Sequence, residues 1–225
     1  MIMYSRVLDQ GYVELINHTL NGDLLVVNAA RTSFDKQHEE FDTQKDTKLI
    51  QYLARHGHVL PFRHPSCTLR LHAPIFVLRQ LGKHQVGFSW SEVSRRYISS
   101  EPTFYTPDRF RAAPEGSIKQ GSVDNLLQEK QEKCLEAYTT GCRIALAEYN
   151  RLLELGAAPE MARAVLPQSM YTTTVTTGTL LGWHHLYKLR TEDHTQIETQ
   201  MYAKTIGSIL QSIFPVSWDA LCQHS

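Results

Sequence analysis

Neither sign of charge predominates in this chain, and no apolar run is long enough to cross a membrane. Lysine plus arginine number 23, aspartate plus glutamate number 23, and the formal net charge of the 225 residues is zero. A general nucleic-acid binder carries an excess of positive charge, and a membrane-spanning helix needs about 20 consecutive apolar residues. We therefore expect no nucleic-acid partner and no membrane partner, and we expect anionic ligands to bind in local cationic pockets.

Cysteine is scarce, and several familiar cofactor patterns are missing. The 4 cysteines form no C-x-x-C pair, which fits reduced thiols in a cytoplasmic protein. The 11 histidines are scattered, and those between residues 56 and 72 match no common zinc spacing. We expect no metal site. No G-x-G-x-x-G run follows a predicted strand, which excludes a Rossmann-type dinucleotide site.

Polar and charged residues concentrate at residues 79–97. This stretch reads R-Q-L-G-K-H-Q-V-G-F-S-W-S-E-V-S-R-R-Y and carries four cations but one carboxylate, Glu92. Pro74 and the apolar residues after it predict a helix that continues to Gly87, followed by an extended run. Because cations and amides would line both elements, the stretch indicates a site for a planar, polyanionic ligand. A solvated charged face is the alternative.

The rest of the chain predicts an α+β fold, and its length suits a single domain over residues 1–225. Alternation of apolar and polar residues predicts strands within residues 1–34, 67–72 and 168–177. Helical periodicity predicts helices from about Asp42 to Gly57 and over residues 122–155, 160–165, 179–190 and 193–213. Residues 98–121, rich in proline and glycine, predict a long irregular segment. We therefore predict a central, mainly antiparallel sheet packed by long helices.

Residues 83–97 resemble the signature of the flavin-dependent thymidylate synthases, which is R-H-R, seven residues and S, ending in N-E-x-S-x-R-Y. Residues 91–97 read S-E-V-S-R-R-Y and match its second half, with serine for asparagine. Lys83, His84 and Gln85 stand at R-H-R, with lysine for the first arginine and glutamine for the last. Eight residues separate Gln85 from Ser94, which is one more than in the signature.

Other segments resemble the same family in chain order. Residues 29–34 read A-A-R-T-S-F, residues 162–167 read A-R-A-V-L-P, and Leu189-Arg190 precedes H-T-Q-I-E at residues 194–198. His58 lies in the loop ahead of the signature, where the family has a histidine near flavin and folate. The resemblance therefore extends over roughly residues 29–198.

The resemblance implies an enzyme that converts dUMP to dTMP, with 5,10-methylenetetrahydrofolate as carbon donor and NADPH as reductant through FAD. It also implies a homotetramer in which FAD spans subunits, so that each site draws residues from several chains. The implied dUMP contacts are Gln80, Lys83, Glu92, Ser94, Arg95, Arg96, Arg163 and Arg190. The implied FAD contacts are Lys83, His84, Gln85, Glu92, Thr179 and His185. The implied catalytic residues are Arg190, Ser94 and His58.

The chemistry explains why these residue types suit this reaction. Methylation of uracil requires C5 to become nucleophilic, and the cysteine-dependent thymidylate synthases achieve this with a Pro-Cys-His element that is missing here; Cys67 heads an alternating strand instead. The other route lets N3 lose its proton, which requires a cation over the resulting oxyanion. Arg190 suits that task because a guanidinium is planar and always charged. Ser94 has no neighbouring base, so we expect it to contact the ligand, with Arg163 and Arg96 at the phosphate.

Two other functions stay open on the sequence. A divergent flavin enzyme would place a different one-carbon group, such as hydroxymethyl, on the pyrimidine nucleotide. The arginine cluster would alternatively belong to an RNA-binding module without enzymatic activity, against which stand the zero net charge and the lack of an RNP or KH element. A flavin spectrum in the purified protein would exclude the RNA-binding module.

Overall fold

A computed structural model describes residues 3–116 and 121–224. Its strands are Tyr4–Val7 (β1), Gly11–His18 (β2), Ser66–Pro74 (β3), Phe88–Glu92 (β4) and Tyr171–Thr179 (β5). They form one sheet in the order β1-β2-β3-β5-β4, and every neighbouring pair is antiparallel. The helices are Gly22–Arg31 (α1), Thr43–Arg55 (α2), Ile75–Leu81 (α3), Gln128–Glu154 (α4), Pro159–Ala162 (α5), Leu180–Arg190 (α6), Ile197–Ile213 (α7) and Pro215–His224 (α8). The predicted α+β fold with an antiparallel sheet is confirmed.

The two faces of the sheet have different surroundings because side chains alternate along each strand. On β3, Cys67, Leu69 and Leu71 are at most 1% exposed and belong to the core. Helices α3, α6 and α7 contact the strands that form this core. The intervening residues of β3, such as Arg70 and His72, lie on the opposite, more open face. None of the helices within the described residues is both long and apolar enough to cross a membrane.

Short-range signals explain where two of the helices begin. The carboxylate of Asp42 accepts hydrogen bonds from the backbone N–H groups of Gln44 (3.0 Å) and Lys45 (2.9 Å), which caps α2. The hydroxyl of Thr179 accepts a hydrogen bond from Gly182 N–H at 3.1 Å and caps α6. Because Thr179 is also the last residue of β5, the chain passes directly from the sheet into the helix that carries Arg190.

The prediction that the first 34 residues form strands is only partly correct. Asn21 adopts a left-handed conformation (φ 51°), and the helix α1 follows it where a second strand was expected. A run of leucine and valine favours a strand locally, but Val26 and Val27 of α1 are completely buried. A β carbon on Gly22 would lie 2.2 Å from the ring of Phe214, so the helix begins in close contact with the C-terminal region. Tertiary packing therefore outweighs the local preference.

The helix after Pro74 is shorter than predicted. It ends at Leu81, with Gly82 at its C-cap, and not at Gly87. The N–H of His84 then donates to the carbonyl of Leu81 at 3.1 Å, which forms a turn. Gly87 has a positive φ of 79° and leads the chain into β4. Lys83 and His84 therefore lie in a connecting turn and not on a helix.

The second half of the chain agrees with the predicted elements, with shifted boundaries. The long helix α4 begins at Gln128 and not at residue 122, because Val123 instead forms an isolated bridge with Ala112. The irregular segment before it is confirmed within the described residues; residues 117–120 lie outside them. The helix α8 was not predicted.

Candidate active site

Arg190, the last residue of α6, is paired with a histidine from the signature stretch. Its Nε donates a hydrogen bond to Nε2 of His84 at 3.2 Å. Burial, together with the positive charges of Arg190 and His185, lowers the pKa of His84 to about 4. His84 is therefore neutral near pH 7, and its Nε2 is able to accept this bond. The backbone of the same turn is held by Trp90, whose Nε1 donates to the His84 carbonyl at 3.2 Å.

Gln80 and Arg190 line one cavity of about 590 Å³, which we call the helix-end cavity. Its other polar lining residues include Arg111, Thr195 and Gln196, and none of its described lining residues is aspartate or glutamate. The amide Nε2 of Gln80 donates to Oε1 of Gln196 at 2.7 Å, which orients the Gln80 side chain. Burial also lowers the pKa of Arg190 from its ordinary value. The cavity therefore offers cations and amides to an anionic or strongly polar ligand.

Other predicted nucleotide residues line a different cavity, of about 830 Å³, on the open face of the sheet. We call it the sheet-face cavity; its lining includes Glu92, Arg95, Arg163, Tyr12 and His72. The rings of Tyr12 and His72 are stacked, with centroids 5.3 Å apart. Arg163 is exposed and lies in the 3-10 turn after α5. The structure thus brings Gln80 together with Arg190 and brings Glu92 together with Arg163, but the two pairs line separate cavities.

The end of the signature stretch is a turn and not the predicted extended run with alternating sides. The N–H of Tyr97 donates to the Ser94 carbonyl at 3.0 Å, and the N–H of Arg96 donates to the Ser94 hydroxyl at 3.3 Å. Arg95 is buried and donates to the carbonyl of Ser100, so its charge helps to hold the loop. The Arg96 side chain is 47% exposed, and its guanidinium lies 3.9 Å from the Glu160 carboxylate and 5.1 Å from the centre of the Tyr97 ring.

Most of the predicted FAD contacts lie on α6, at its cap Thr179, or on the turn after α3 that packs beside this helix. The Thr179 N–H donates to the Gly87 carbonyl at 2.9 Å, which places the turn after α3 beside Thr179. Lys83, Gln85 and His185 are exposed. His84, on the same turn, contacts Arg190 at the opposite end of α6. Glu92 lies elsewhere. Phe88, at one end of β4, pairs with Gly178, whereas Glu92 is at the opposite end of that strand. The geometry therefore groups five of these six predicted residues and separates Glu92 from them.

His58 shares a third cavity with the A-A-R-x-S-F run. This cavity, of about 1160 Å³, is lined by Ala29, Arg31 and Phe34 of that run and by Tyr52 and His58. The rings of Tyr52 and His58 are nearly parallel, with centroids 6.0 Å apart. Two segments that resemble the family at separate places in the sequence therefore meet in space.

Sequence reasoning missed three side chains that lie at these cavities. Gln196 belongs to the H-x-Q-x-E motif, so its signal was present, although no role followed from it. Arg111 lies in the irregular segment and Tyr52 lies on α2, and no local pattern distinguishes either of them. Proximity in the folded chain alone identifies these two residues.

Known proteins resemble this chain over most of its length. The family model described as thymidylate synthase complementing protein matches residues 14–216. The flavin-dependent thymidylate synthase of Thermosipho africanus is 36% identical over 224 residues, which cover 99% of this chain and 96% of that protein. The enzyme of the same name from Thermus thermophilus is also 36% identical, over 97% of this chain and 78% of its own length.

Solved structures resemble the whole chain as well. The UMP/dUMP methylase PolB from Streptomyces cacaoi, bound with 5-Br dUMP, has a TM-score of 0.84 and 31% identity, and 97% of each chain is covered. The same methylase bound with 5-Br UMP also has a TM-score of 0.84. Fold and sequence thus define a thymidylate synthase complementing protein. More particularly, the chain belongs to the flavin-dependent thymidylate synthase family, as its motifs predicted.

Proposed function

We propose that this protein methylates dUMP to dTMP, using FAD, 5,10-methylenetetrahydrofolate as carbon donor and NADPH as reductant. The observation that carries this proposal is the helix-end cavity, where Arg190 and Gln80 lie together without a carboxylate in the described lining. Such a cavity suits a uracil ring that becomes anionic when N3 loses its proton. Catalysis of this kind rests on a fixed charge aimed at the position where negative charge develops.

Arg190 stabilises the N3/O4 side of the pyrimidine in this proposal. The neutral His84 accepts from its Nε at 3.2 Å, so the two terminal nitrogens of the guanidinium can address the substrate. Gln80, oriented by Gln196, supplies an amide to the same ligand. Both groups are held before the substrate arrives, which reduces the reorganisation that the reaction requires.

Cysteine attack on the ring has no support in the described structure. Cys67 is 1% exposed in the core, and burial raises the pKa of its thiol far above the ordinary value. A buried, protonated thiol is a poor nucleophile. The proposed activation through Arg190 therefore does not need Cys67.

The phosphate of dUMP is assigned to Arg163, Arg96 and Ser94, with Lys83, Glu92 and Arg95 as further nucleotide contacts. Arg163 lines the sheet-face cavity, whereas Arg190 lines the helix-end cavity. A nucleotide that contacts both arginines is readily accommodated when they come from different chains. This separation supports the proposal of a homotetramer with shared sites.

The surface of α4 gives further support for association between copies. This helix spans 27 residues, yet Tyr149 is its only fully buried residue within the described chain. Leu135 and Ile144 are 41% and 53% exposed. A neighbouring copy would cover such apolar side chains, because their exposure to water is unfavourable.

The residues of α6 and of the turn packed beside it fit an anionic flavin nucleotide. Burial is the main reason that the pKa of His185 is lowered, and the positive field of nearby Arg63 and Lys188 lowers it further. A pyrophosphate group suits such a field, and Lys83, His84, Gln85, Thr179 and His185 would hold it. Bound FAD supplies the redox chemistry and the relay of the one-carbon unit. His58, with Tyr52 in the third cavity, is assigned to the flavin and folate region.

We further propose that the chain forms one catalytic domain and works in the cytoplasm. Cys67, Cys134, Cys142 and Cys222 are all unpaired thiols, which agrees with a reducing compartment.

The test is product formation by the purified full-length protein. We expect a flavin absorption spectrum after loading with FAD, and a dTMP product, identified by mass, when dUMP, methylenetetrahydrofolate and NADPH are all present. Omitting each component in turn should abolish the product. UMP should be assayed in parallel, because the similar methylase is described with both nucleotides. A hydroxymethylated product would favour the divergent one-carbon transferase, and failure to bind flavin would contradict the proposal.

A further inference from the structure

Arg111 is fixed in place by two side chains from other parts of the chain. Its Nη2 donates to Oε1 of Glu198 at 2.7 Å, and its Nε donates to the hydroxyl of Ser122 at 2.7 Å. The side chain of Arg111 is 19% exposed and that of Glu198 is 4% exposed. An irregular segment thus contributes an arginine that is anchored on the first turn of α7.

Glu198 is a suitable anchor because it is a buried carboxylate that keeps its charge. Burial, the largest single influence, would raise its pKa. The hydrogen bond and charge of Arg111, together with hydrogen bonds from the backbone N–H of Glu198 and from Gln196, outweigh burial, and the pKa lies below the ordinary value. The hydroxyl of Tyr105 also donates to Glu198 Oε1, at 3.2 Å. Removing either member of such a buried ion pair leaves the other member uncompensated.

The anchored guanidinium still has N–H groups for a ligand. An arginine carries five N–H donors, and two of those of Arg111 are used by Glu198 and Ser122. The remaining donors have no hydrogen-bond partner among residues 3–116 and 121–224. Arg111 lines the helix-end cavity together with Gln80 and Arg190, whose described lining includes no carboxylate. Two arginines therefore border one cavity, and only Arg111 is neutralised from behind by a buried anion.

We propose that Arg111, held by Glu198, is an additional nucleotide-binding residue that donates hydrogen bonds to an acceptor oxygen of the pyrimidine nucleotide contacted by Gln80 and Arg190. This inference rests on the proposed function. The acceptor is either a phosphate oxygen or a carbonyl oxygen of the uracil ring as it first binds, before N3 loses its proton. Arg111 adds binding in the ground state, whereas Arg190 acts on the charge that develops during the reaction. Glu198 is a positioning residue for Arg111.

The test compares Arg111→Gln with Arg109→Gln in the full-length, FAD-loaded protein. Arg109 is a matched control because it lies two residues away in the same segment and pairs with the exposed Asp124. Dissociation constants for dUMP and deoxyuridine, kcat and KM for dUMP, and the melting temperature are measured for each variant. We expect Arg111→Gln to weaken dUMP binding about tenfold to hundredfold, the effect of one lost charged hydrogen bond. Its kcat should change much less than its KM, and Arg109→Gln should match the wild type.

Binding of deoxyuridine, which lacks the phosphate, identifies the acceptor oxygen. A loss for dUMP alone assigns Arg111 to the phosphate, and a loss for both ligands assigns it to the base. If Arg111→Gln melts at a lower temperature but binds dUMP like the wild type, Arg111 only fastens the loop and the inference is wrong. If Arg111→Gln does not fold, the same measurements are made on Arg111→Lys. Lysine keeps the positive charge near Glu198 but loses the planar fork of the guanidinium. Wild-type dUMP affinity in Arg111→Lys would then also overturn the inference. Failure of the wild type itself to bind dUMP would instead refute the proposed function.

Discussion

The helix-end cavity and the sheet-face cavity carry similar predicted residues but differ in how those residues are held. In the helix-end cavity, Arg190 is bonded to neutral His84 and Gln80 is bonded to Gln196. In the sheet-face cavity, Arg163 is exposed on a 3-10 turn, and Glu92 and Glu160 also line the cavity. The helix-end cavity therefore has preorganised groups without a described carboxylate. The sheet-face cavity has exposed side chains of both signs, besides the buried Arg95.

This difference fits the two tasks that we propose for these residues on one nucleotide. A group that stabilises charge during the reaction has to be fixed and partly buried, because its effect depends on not reorganising. A group that anchors a phosphate tolerates exposure, because an ion pair with a dianion needs only proximity and a matching fork. The predictions below separate these roles, beginning with the largest expected effect.

Arg190→Ala should reduce the turnover of bound dUMP by about 10²–10³-fold, because one preorganised electrostatic donor is lost. Arg163→Ala should instead raise the KM for dUMP by about tenfold or more while kcat changes little. Steady-state kinetics of dTMP formation, with the flavin content of each variant measured, distinguish the two. If Arg190→Ala raises KM and keeps kcat, the assignment of roles to the two cavities is wrong.

Mixed oligomers should show that the two arginines act from different chains. When Arg163→Ala and Arg190→Ala subunits are co-expressed, they assemble at random. A site shared by two chains then receives an intact Arg190 from one chain and an intact Arg163 from the other in about one quarter of cases. Activity near the wild-type KM should therefore recover to about one quarter of the wild-type value. Separately purified variants, mixed without subunit exchange, are the control. If the co-expressed protein is no more active than the average of the two variants, both arginines serve a site within one chain.

Lowering the pH should reduce the free energy of unfolding through His84, which is bonded to Arg190 of the helix-end cavity. Its pKa is about 4 in the folded chain, below the ordinary value of about 6.5 for an unfolded histidine. The unfolded state therefore takes up a proton first, so this contribution to stability is complete above about pH 6.5 and is lost as pH falls towards 4. Urea unfolding at pH 7 and pH 5 should show a smaller pH effect in His84→Gln than in the wild type. His184, whose pKa is also about 4, contributes equally to both proteins; equal pH effects would contradict the prediction.

Cys67→Ala should leave both cavities unchanged, because Cys67 lies on the buried face of the sheet. We expect a loss of about 1–2 kcal/mol in the free energy of unfolding from the small cavity created. The kcat for dTMP formation should stay at the wild-type level. Loss of activity in a folded, flavin-loaded Cys67→Ala protein would contradict the cysteine-independent mechanism.

The parts of the fold predicted correctly are those with strong local signals. Residues of β3 alternate between core and open face, so the strand was visible from its sequence. Asp42 caps α2 with its own carboxylate, a contact made within three residues. The helix α1 was missed because a run of leucine and valine favours a strand locally. In the folded chain the helix is instead favoured because it buries Val26 and Val27 in the core. Local signals could not contain that information.

The sequence alone determined the chemistry of the site: the kinds of side chain, their order and the family motifs that carry Arg163, Arg190 and Ser94. Their roles in binding and catalysis remain predictions. Only the tertiary structure decided which of these side chains share a cavity. Glu198 meets Arg111 across 87 residues of chain, and Gln196 meets Gln80 across 116. Such contacts depend on how the chain reverses direction and how the helices pack throughout the fold. The partner of a side chain is set by the direction in which that side chain points in space, and spacing along the sequence does not specify that direction.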